Sequence, residues 1–232
     1  MLKHLVKTIA NGVALVIMLP AAAMSAFGRI PGLFNFWAQA VALVPGLAGD
    51  YLRVAYYFMT LRASSLSMRI SFGSFFAHSS ARVERSVYIG PYCVLGGCII
   101  GERTQIASHV QIMGGGQQHE RDKQGRILGA KQELFPMVSV GADCWLGAAS
   151  IIMANVGSGT TVGAGAVVPR PLPPNVTAVG NPARVIKSHD SQVRVAVENR
   201  GEIFDAEGQK TGGDNKQHEA SSFHIAWSRT TP

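Results

Sequence analysis

The sequence predicts an all-β core, a parallel β-helix of six-residue repeats, with an apolar helical segment before it and a polar tail behind it. Three observations carry this prediction. Aliphatic residues recur every six positions from residue 83 to residue 168, a period that is neither helical nor that of a simple meander. The first 64 residues contain two long charge-free stretches. Beyond residue 187 the repeat stops and the composition turns polar. The expected organisation is therefore a helical membrane-associated segment (1–64), the β-helix domain (65–187) with a loop at 114–137, and a flexible tail (188–232).

The N-terminal segment is read first. Between Lys7 and Arg29 lie 21 uncharged residues, Thr8 to Gly28, which as a helix would extend roughly 31 Å against a hydrocarbon core of about 30 Å. A second uncharged stretch, Ile30 to Gly49, contains Pro31 and Pro45 and suits a returning or re-entrant segment better than a continuous helix. In YLRVAYYFMTLR, Leu52, Ala55, Tyr56 and Met59 share a helical face, and Arg53 and Arg62 can point away from it. That pattern suits a membrane interface or a helix packed on the end of the domain. Lys3 and Lys7 favour a cytoplasmic N-terminus, so two crossings or a hairpin would keep the following domain on the cytoplasmic face.

Composition is consistent with this division. Only 15% of residues are charged while 47% are apolar, a balance that suits membrane contact or a repetitive apolar core. The net charge of +7 is uneven, because residues 188–232 hold five Lys or Arg against seven Asp or Glu. No basic run or nucleic-acid-binding module accompanies the excess, so nucleic acid is not an expected partner. Cys93, Cys98 and Cys144 form no CxxC motif, which argues against a disulfide framework and a zinc knuckle.

Within the repeat, the aliphatic residue is usually followed by Gly or Ala: Ile89-Gly90, Ile100-Gly101, Ile106-Ala107, then Val140-Gly141, Leu146-Gly147, Val156-Gly157 and Val162-Gly163. Small or β-branched residues stand four positions after the aliphatic ones, among them Cys93, Thr104, Val110, Cys144, Ser150, Thr160 and Ala166. Both positions are expected to face one narrow interior, with the cysteines as core fillers. Three hexads make one turn of a triangular prism, and turns stack about 4.8 Å apart. The glycines are expected at turns that tolerate little side-chain volume and sometimes positive φ. Residues 69–82, with Ile70 and Phe76, form an imperfect first coil. The spacing is one residue short from Leu95 to Ile100 and two short from Ile152 to Val156, where tightened corners are expected.

These segments, with IGPYCVLGG, IGERTQIASHVQIMGGG, the loop QQHERDKQGRI and the closing GNPARVIK, resemble the hexapeptide-repeat acyltransferases, particularly the branch that acetylates sugars, polysaccharides and other hydroxylated molecules. The resemblance implies a left-handed β-helix, a homotrimer and an active site between neighbouring subunits. It implies acetyl-CoA as donor and no metal. His119, in the loop that interrupts the repeat, takes the role of general base, and His109 that of a residue orienting base or acceptor. The chain departs from the pattern at Gln117, where related loops carry a first histidine. By the same resemblance Trp145, Gly147, Ala148, Ala149 and Ala164 line the pantetheine track, and Arg184 and Lys187 approach the CoA phosphates.

The chemistry fits the residue types. A hydroxyl is a poor nucleophile at neutral pH, so its attack on a thioester needs a base with a pKa near the working pH, which histidine supplies. The reading is a membrane-associated O-acetyltransferase at the cytoplasmic face of a bacterial-type inner membrane, acting on a glycan or another hydroxylated acceptor. Two alternatives stay open: a catalytically inactive tethered β-helix, and a β-helix zinc carbonic anhydrase, for which His109 and His119 lack close ligand spacing.

Overall fold

The computed structural model of the chain describes residues 2–114, 121–129, 136–189, 203–204 and 210–211. It divides into two units, Met1–Ser191 and Gln192–Pro232. In the second unit the described residues are two short strands, Ile203–Phe204 paired antiparallel with Lys210–Thr211. Of the predicted tail, Ser188 and His189 are also described, with Ser188 ending the closing strand, and the rest lies outside the described residues.

The first unit is a three-faced prism of stacked parallel strands. Its first face runs through Arg69–Ile70, Tyr88–Ile89, Gln105–Ile106, Trp145–Leu146, Thr161–Val162 and Val176–Val179. The second runs through Phe75–Phe76, Val94–Leu95, Gln111–Ile112, Ile151–Ile152 and Val167–Val168. The third stacks Arg82–Val83, Cys98–Ile100 and Val138–Val140, then continues as single bridges from Val140 to Val156 and from Val156 to Leu172. Residues 69–83 thus make a full first coil. The last coil is closed by Arg184–Ser188, which folds back antiparallel on Val176–Val179.

The interior follows the period of six. Ile70, Phe76, Ile89, Leu95, Ile100, Ile106, Ile112, Leu146, Ile152, Val162 and Val168 are buried, as are Cys93, Thr104, Val110, Cys144, Ser150, Thr160 and Ala166 four positions after aliphatic ones. Several of these hydroxyls and thiols bond upward to the next coil, whereas Ser150 Oγ is buried without a partner among the described residues. Thr104 Oγ1 donates to Gly141 O at 2.7 Å and accepts from Cys144 N, and Thr160 Oγ1 donates to Pro173 O at 2.7 Å. Each polar atom so placed satisfies a corner backbone group that water cannot reach.

The expected positive φ falls elsewhere than on the repeat glycines. Left-handed backbone occurs three residues after the aliphatic position, at Tyr92, Arg103, His109, Asp143 and Ala149, with glycine there only in some coils, as at Gly165. The glycine beside the aliphatic residue answers a different constraint. A Cβ on Gly141 would lie 2.4 Å from Ser158 N, and one on Gly147 would lie 2.5 Å from Ala164 N. Stacking distance, not torsion, excludes a side chain there.

Three helices close the open end of the first coil: α1 (Leu2–Met24), α2 (Pro31–Ala42) and α3 (Gly46–Thr60). Prolines at residues 31 and 45 set the starts of α2 and α3, so the second uncharged stretch is broken, as its prolines predict. The α3 residues Val54 to Tyr57 are buried, and Tyr57 sets its ring edge-on to Phe76 at 5.0 Å while its hydroxyl accepts from Phe76 N.

Arg53 corrects the expectation that it points away. Its side chain is fully buried and donates to Ile70 O (2.9 Å), Val41 O (3.1 Å), Val44 O (2.7 Å) and Asp50 Oδ1 (2.6 Å). The broken end of α2 and the edge of the first coil both present carbonyls toward this side chain, and a planar guanidinium can serve several at once. Arg62 is exposed, as expected. Helix α1 buries Ala14, Met18, Ala21 and Ala22, while Leu5, Ile9, Val13, Val16 and Ile17 face outward.

Two outcomes are expected. Arg53→Ala should cost about 3–5 kcal/mol, because it strands buried carbonyls and removes a buried charge partner. Arg53→Lys should recover only part of that loss, since an ammonium lacks the fork; both are read from denaturant midpoints. Burial pushes the Cys98 thiol up to about 12 and raises those of Cys93 and Cys144 as well. The native protein should therefore resist iodoacetamide at pH 8 and become alkylated at all three cysteines once unfolded.

Candidate functional site

The stacked coils offer three outer corners of different character. Between the third and first faces stands a ladder of exposed charges, in which Arg103 pairs with Asp143 at 2.6 Å and with Glu102, and Arg85 pairs with Glu102 at 2.8 Å. Arg103 holds the Asp143 carboxyl below the usual range, and Arg85 chiefly does so for Glu102. These are solvent-facing pairs, of small energetic weight.

The corner between the first and second faces gathers most of the sequence-predicted residues. Gly147, Ala148 and Ala149 form it in the fourth coil and Ala164 in the fifth, joined by Gly165 N donating to Ala148 O at 2.8 Å. Ala148 is half-buried, and Ala149 and Ala164 are exposed, so short side chains leave this edge open along two coils. Trp145 stands on the first face just before the corner, between Gln105 and Thr161 of the neighbouring coils, and is 50% exposed. It is not a packed cap.

His109 occupies the same corner one coil earlier, directly under Ala149, whose N–H donates to Ser108 O. Its imidazole is exposed and lies parallel to the Tyr92 ring at 5.2 Å, and Tyr92 in turn meets Phe72 edge-on at 5.6 Å. The result is a column of planar side chains leading up to the alanine-lined edge.

Arg184 and Lys187 lie on the closing antiparallel strand, opposite Val179 and Thr177, and both are exposed. The strand is tied to the fifth coil by Ala183 N donating to Val167 O at 2.7 Å. Two cations thus stand at the end of the prism, at the end of the first face.

The repeat is interrupted at the third corner, between the second and third faces, after Gln111–Ile112. His119 and Gln117 lie outside the described residues. Within the loop Arg121–Gly129 is described: it turns about Asp122, whose Oδ1 accepts from Gln124 N and Arg126 N and whose Oδ2 accepts from Arg126 Nε at 2.7 Å. Those backbone donors hold the Asp122 carboxyl below its usual range. Beneath the loop stems Gly114 and Met137 is a cleft of about 170 Å³, lined by His78, Gly96, Gly97 and Gln111 among others. Sequence reasoning passed over His78, because the first coil is the least regular. The signal available was the shortened step from Leu95 to Ile100, which marks a corner two glycines wide.

The predicted residues therefore sit at two edges of the second face: His109 and the alanine track at one, the loop stems at the other. No group of three or more His, Cys, Asp or Glu side chains that could hold a metal occurs among the described residues.

Comparison with known proteins agrees with this architecture. Residues 80–114 match the family model described as bacterial transferase hexapeptide (six repeats). Serine acetyltransferase of Escherichia coli (strain K12) is 29% identical over 124 residues, covering 49% of this chain and 38% of that protein. Galactoside O-acetyltransferase of the same strain is 35% identical over 92 residues, covering 38% of this chain and 42% of its own. The chain thus spans less than half the length of these curated relatives. In fold it is similar to the structure of galactoside acetyltransferase in complex with coenzyme A, with a TM-score of 0.51 and 18% identity over 71% of this chain and 84% of that one. That likeness implies left-handed winding of the prism. The period of six and the matched repeat at residues 80–114 make the coiled region similar to hexapeptide-repeat transferases, with which it shares the fold.

Proposed function

We propose that the chain is an acyltransferase that uses acetyl-CoA to acetylate a hydroxyl of a sugar, polysaccharide precursor or similar acceptor. One observation carries the reading: a single β-helix combines an alanine-lined corner in its fourth and fifth coils, cations on its closing strand, and an interruption of the repeat whose sequence contains His119. The names of the relatives, serine and galactoside acetyltransferases, support the reaction class.

In this mechanism the pantetheine arm lies along Gly147, Ala148, Ala149 and Ala164, where Cβ atoms are small, with Trp145 beside it. Arg184 and Lys187 meet the phosphates as exposed cations. His119 takes the proton of the acceptor hydroxyl, the oxygen attacks the thioester carbonyl, and the thiolate of CoA leaves and takes up the proton. A homotrimer accounts for the separation of the two edges of the second face, since a neighbouring copy can bring its loop to the alanine-lined corner. His109 then belongs to the acceptor side of that shared site.

The N-terminal helices support a place at the cytoplasmic face of a membrane. Leu5–Met24 is long and apolar enough to cross a bilayer. Its inner stripe packs on α2 and α3, however, and its outer stripe of Leu5, Ile9, Val13, Val16 and Ile17 is free to meet lipid. A helix so packed can lie in the interface without carrying the domain across.

Two measurements test these readings. Purified protein should transfer acetyl groups from acetyl-CoA to a glycan panel, and His119→Ala should lower the rate by about 10²–10⁴ while CoA binding persists; an unchanged rate removes His119 from the role of base. The double variant Val13→Lys/Ile17→Lys should shift the full chain from the membrane to the soluble fraction without altering its thermal midpoint. Unchanged partitioning would rule out the outer stripe as the lipid contact.

A further inference from the structure

The first 49 residues contain no Asp or Glu, and Lys7 and Arg29 are exposed cations among them. In the fold they form α1, α2 and the turn between the two. The outer stripe of α1 has a counterpart on α2, where Leu33, Phe36 and Leu43 are exposed while Phe34, Ala38 and Val41 are buried. Helix α1 rests on α3, and α2 and α3 rest on the first coil, so both exposed stripes face away from the prism.

The turn holds a third apolar group in place. Ala26, Phe27 and Gly28 have φ of +48°, +54° and +85°, three successive left-handed residues, a conformation that is unfavourable for a bulky side chain. It is fixed by its surroundings. Ser25 O accepts from Gly28 N at 3.0 Å and from Ile30 N at 3.1 Å, and Ser79 Oγ of the first coil donates to Gly28 O at 2.7 Å. A Cβ on Gly28 would lie 2.2 Å from Thr60 O, so the turn sits directly on the structure beneath it. Phe27, held there, is 51% exposed. Strain that keeps an aromatic ring outward gains nothing in water and gains apolar burial in a lipid interface.

The same contacts bear on topology. The chain is bonded to the first coil just before α2, at Gly28 O, and again at its end, where Gly73 N donates to Ala42 O at 2.8 Å. Passage of α2 through a bilayer would break these bonds and those that Arg53 makes to Val41 O and Val44 O. On α1 the first buried side chain among the described ones is Ala14. The overhang is therefore at most Leu2 to Val13, roughly 18 Å at 1.5 Å per residue, against a hydrocarbon core of about 30 Å.

We propose that the helical cap docks the chain on one leaflet of an anionic phospholipid bilayer without crossing it. Helix α1 lies in the interfacial plane, Phe27 and the outer stripe of α2 enter beside it, and Lys7 and Arg29 meet the negative headgroups. The proposal rests on the reading of α1 as a lipid contact and adds a second contact, the charge of the lipid and one-sided binding. Charge selects the occupant: cations with no carboxylate in 49 residues suit a negative surface, whereas a second copy on this face would bring like charges together.

The test uses the full chain, exchanged from mild detergent onto sealed vesicles of phosphatidylcholine with or without phosphatidylglycerol, and reads binding by co-flotation. The parent should bind the mixed vesicles more tightly. Lys7→Gln/Arg29→Gln should weaken that binding about 25-fold, about fivefold per cation, and leave binding to neutral vesicles unchanged. Phe27→Asn, which keeps a residue tolerant of positive φ, and Phe36→Gln should each weaken binding to both kinds of vesicle at an unchanged thermal midpoint. Equal affinity of the parent for both vesicles, or undiminished flotation of both aromatic variants, overturns the proposal; so does loss of self-association in place of flotation, which would assign the surface to a second copy. The native cysteines are buried, so Lys7→Cys reports topology. In the floated fraction it should react with an impermeant maleimide added outside, and protection until detergent is added means that α1 crosses, which also overturns the proposal. If Val13→Lys/Ile17→Lys releases the chain while the aromatic variants bind as the parent does, α1 alone meets lipid and only the wider dock falls. If the parent floats with neither vesicle, the membrane reading of α1 falls with it.

Discussion

The close approach of one coil to the next is the constraint on which the rest of this structure depends. Parallel strands stacked about 4.8 Å apart leave no room for a side chain wherever a backbone turns directly beneath another. Gly141, Gly147 and Gly157 sit at such places, with the next coil's backbone within 2.3–2.6 Å of where a Cβ would be. The same proximity lets Ser74, Thr104 and Thr160 bond to carbonyls of the following coil, so these three buried hydroxyls are satisfied within the stack. Because each coil is held by its neighbours, residues can leave the prism at one corner as a loop without unsettling the faces.

A stack of parallel strands has two open ends, and each is a hazard if left unpaired. This chain closes them differently. The closing strand Arg184–Ser188 folds back antiparallel and places its cations at the end of the first face. At the other end α2 and α3 lie across the first coil, and Arg53 supplies donors to both the strand edge and the frayed end of α2. The helical cap that protects the fold also carries the outward aliphatic stripe of α1.

The corners of the prism are distinguished by their departures from the repeat. The regular coils present aliphatic interiors and modest surfaces, while the alanine-lined corner, the loop after Ile112 and the Gly96-Gly97 cleft each break the pattern locally. Two of these breaks meet at the same corner. The loop edge and the alanine edge therefore lie on opposite sides of the second face.

The sequence by itself determined the period, the interior residues and the small residues at the crowded positions, because each hexad repeats one local environment and a side chain that fits one coil fits the next. It also marked the loop and the shortened steps, since both are departures from a count. The first coil was legible only in part, because Ile70 and Phe76 keep the spacing while the serines and aromatics around them do not. Only the tertiary structure decided that Arg53 is buried, because its carbonyl partners come from α2 and the first strand, far apart in sequence. Likewise it alone decided that His78 borders the cleft. The shortened steps are absorbed at their own corners and every third aliphatic position keeps its face, so the count discloses the faces but not which side chains meet across distant parts of the chain.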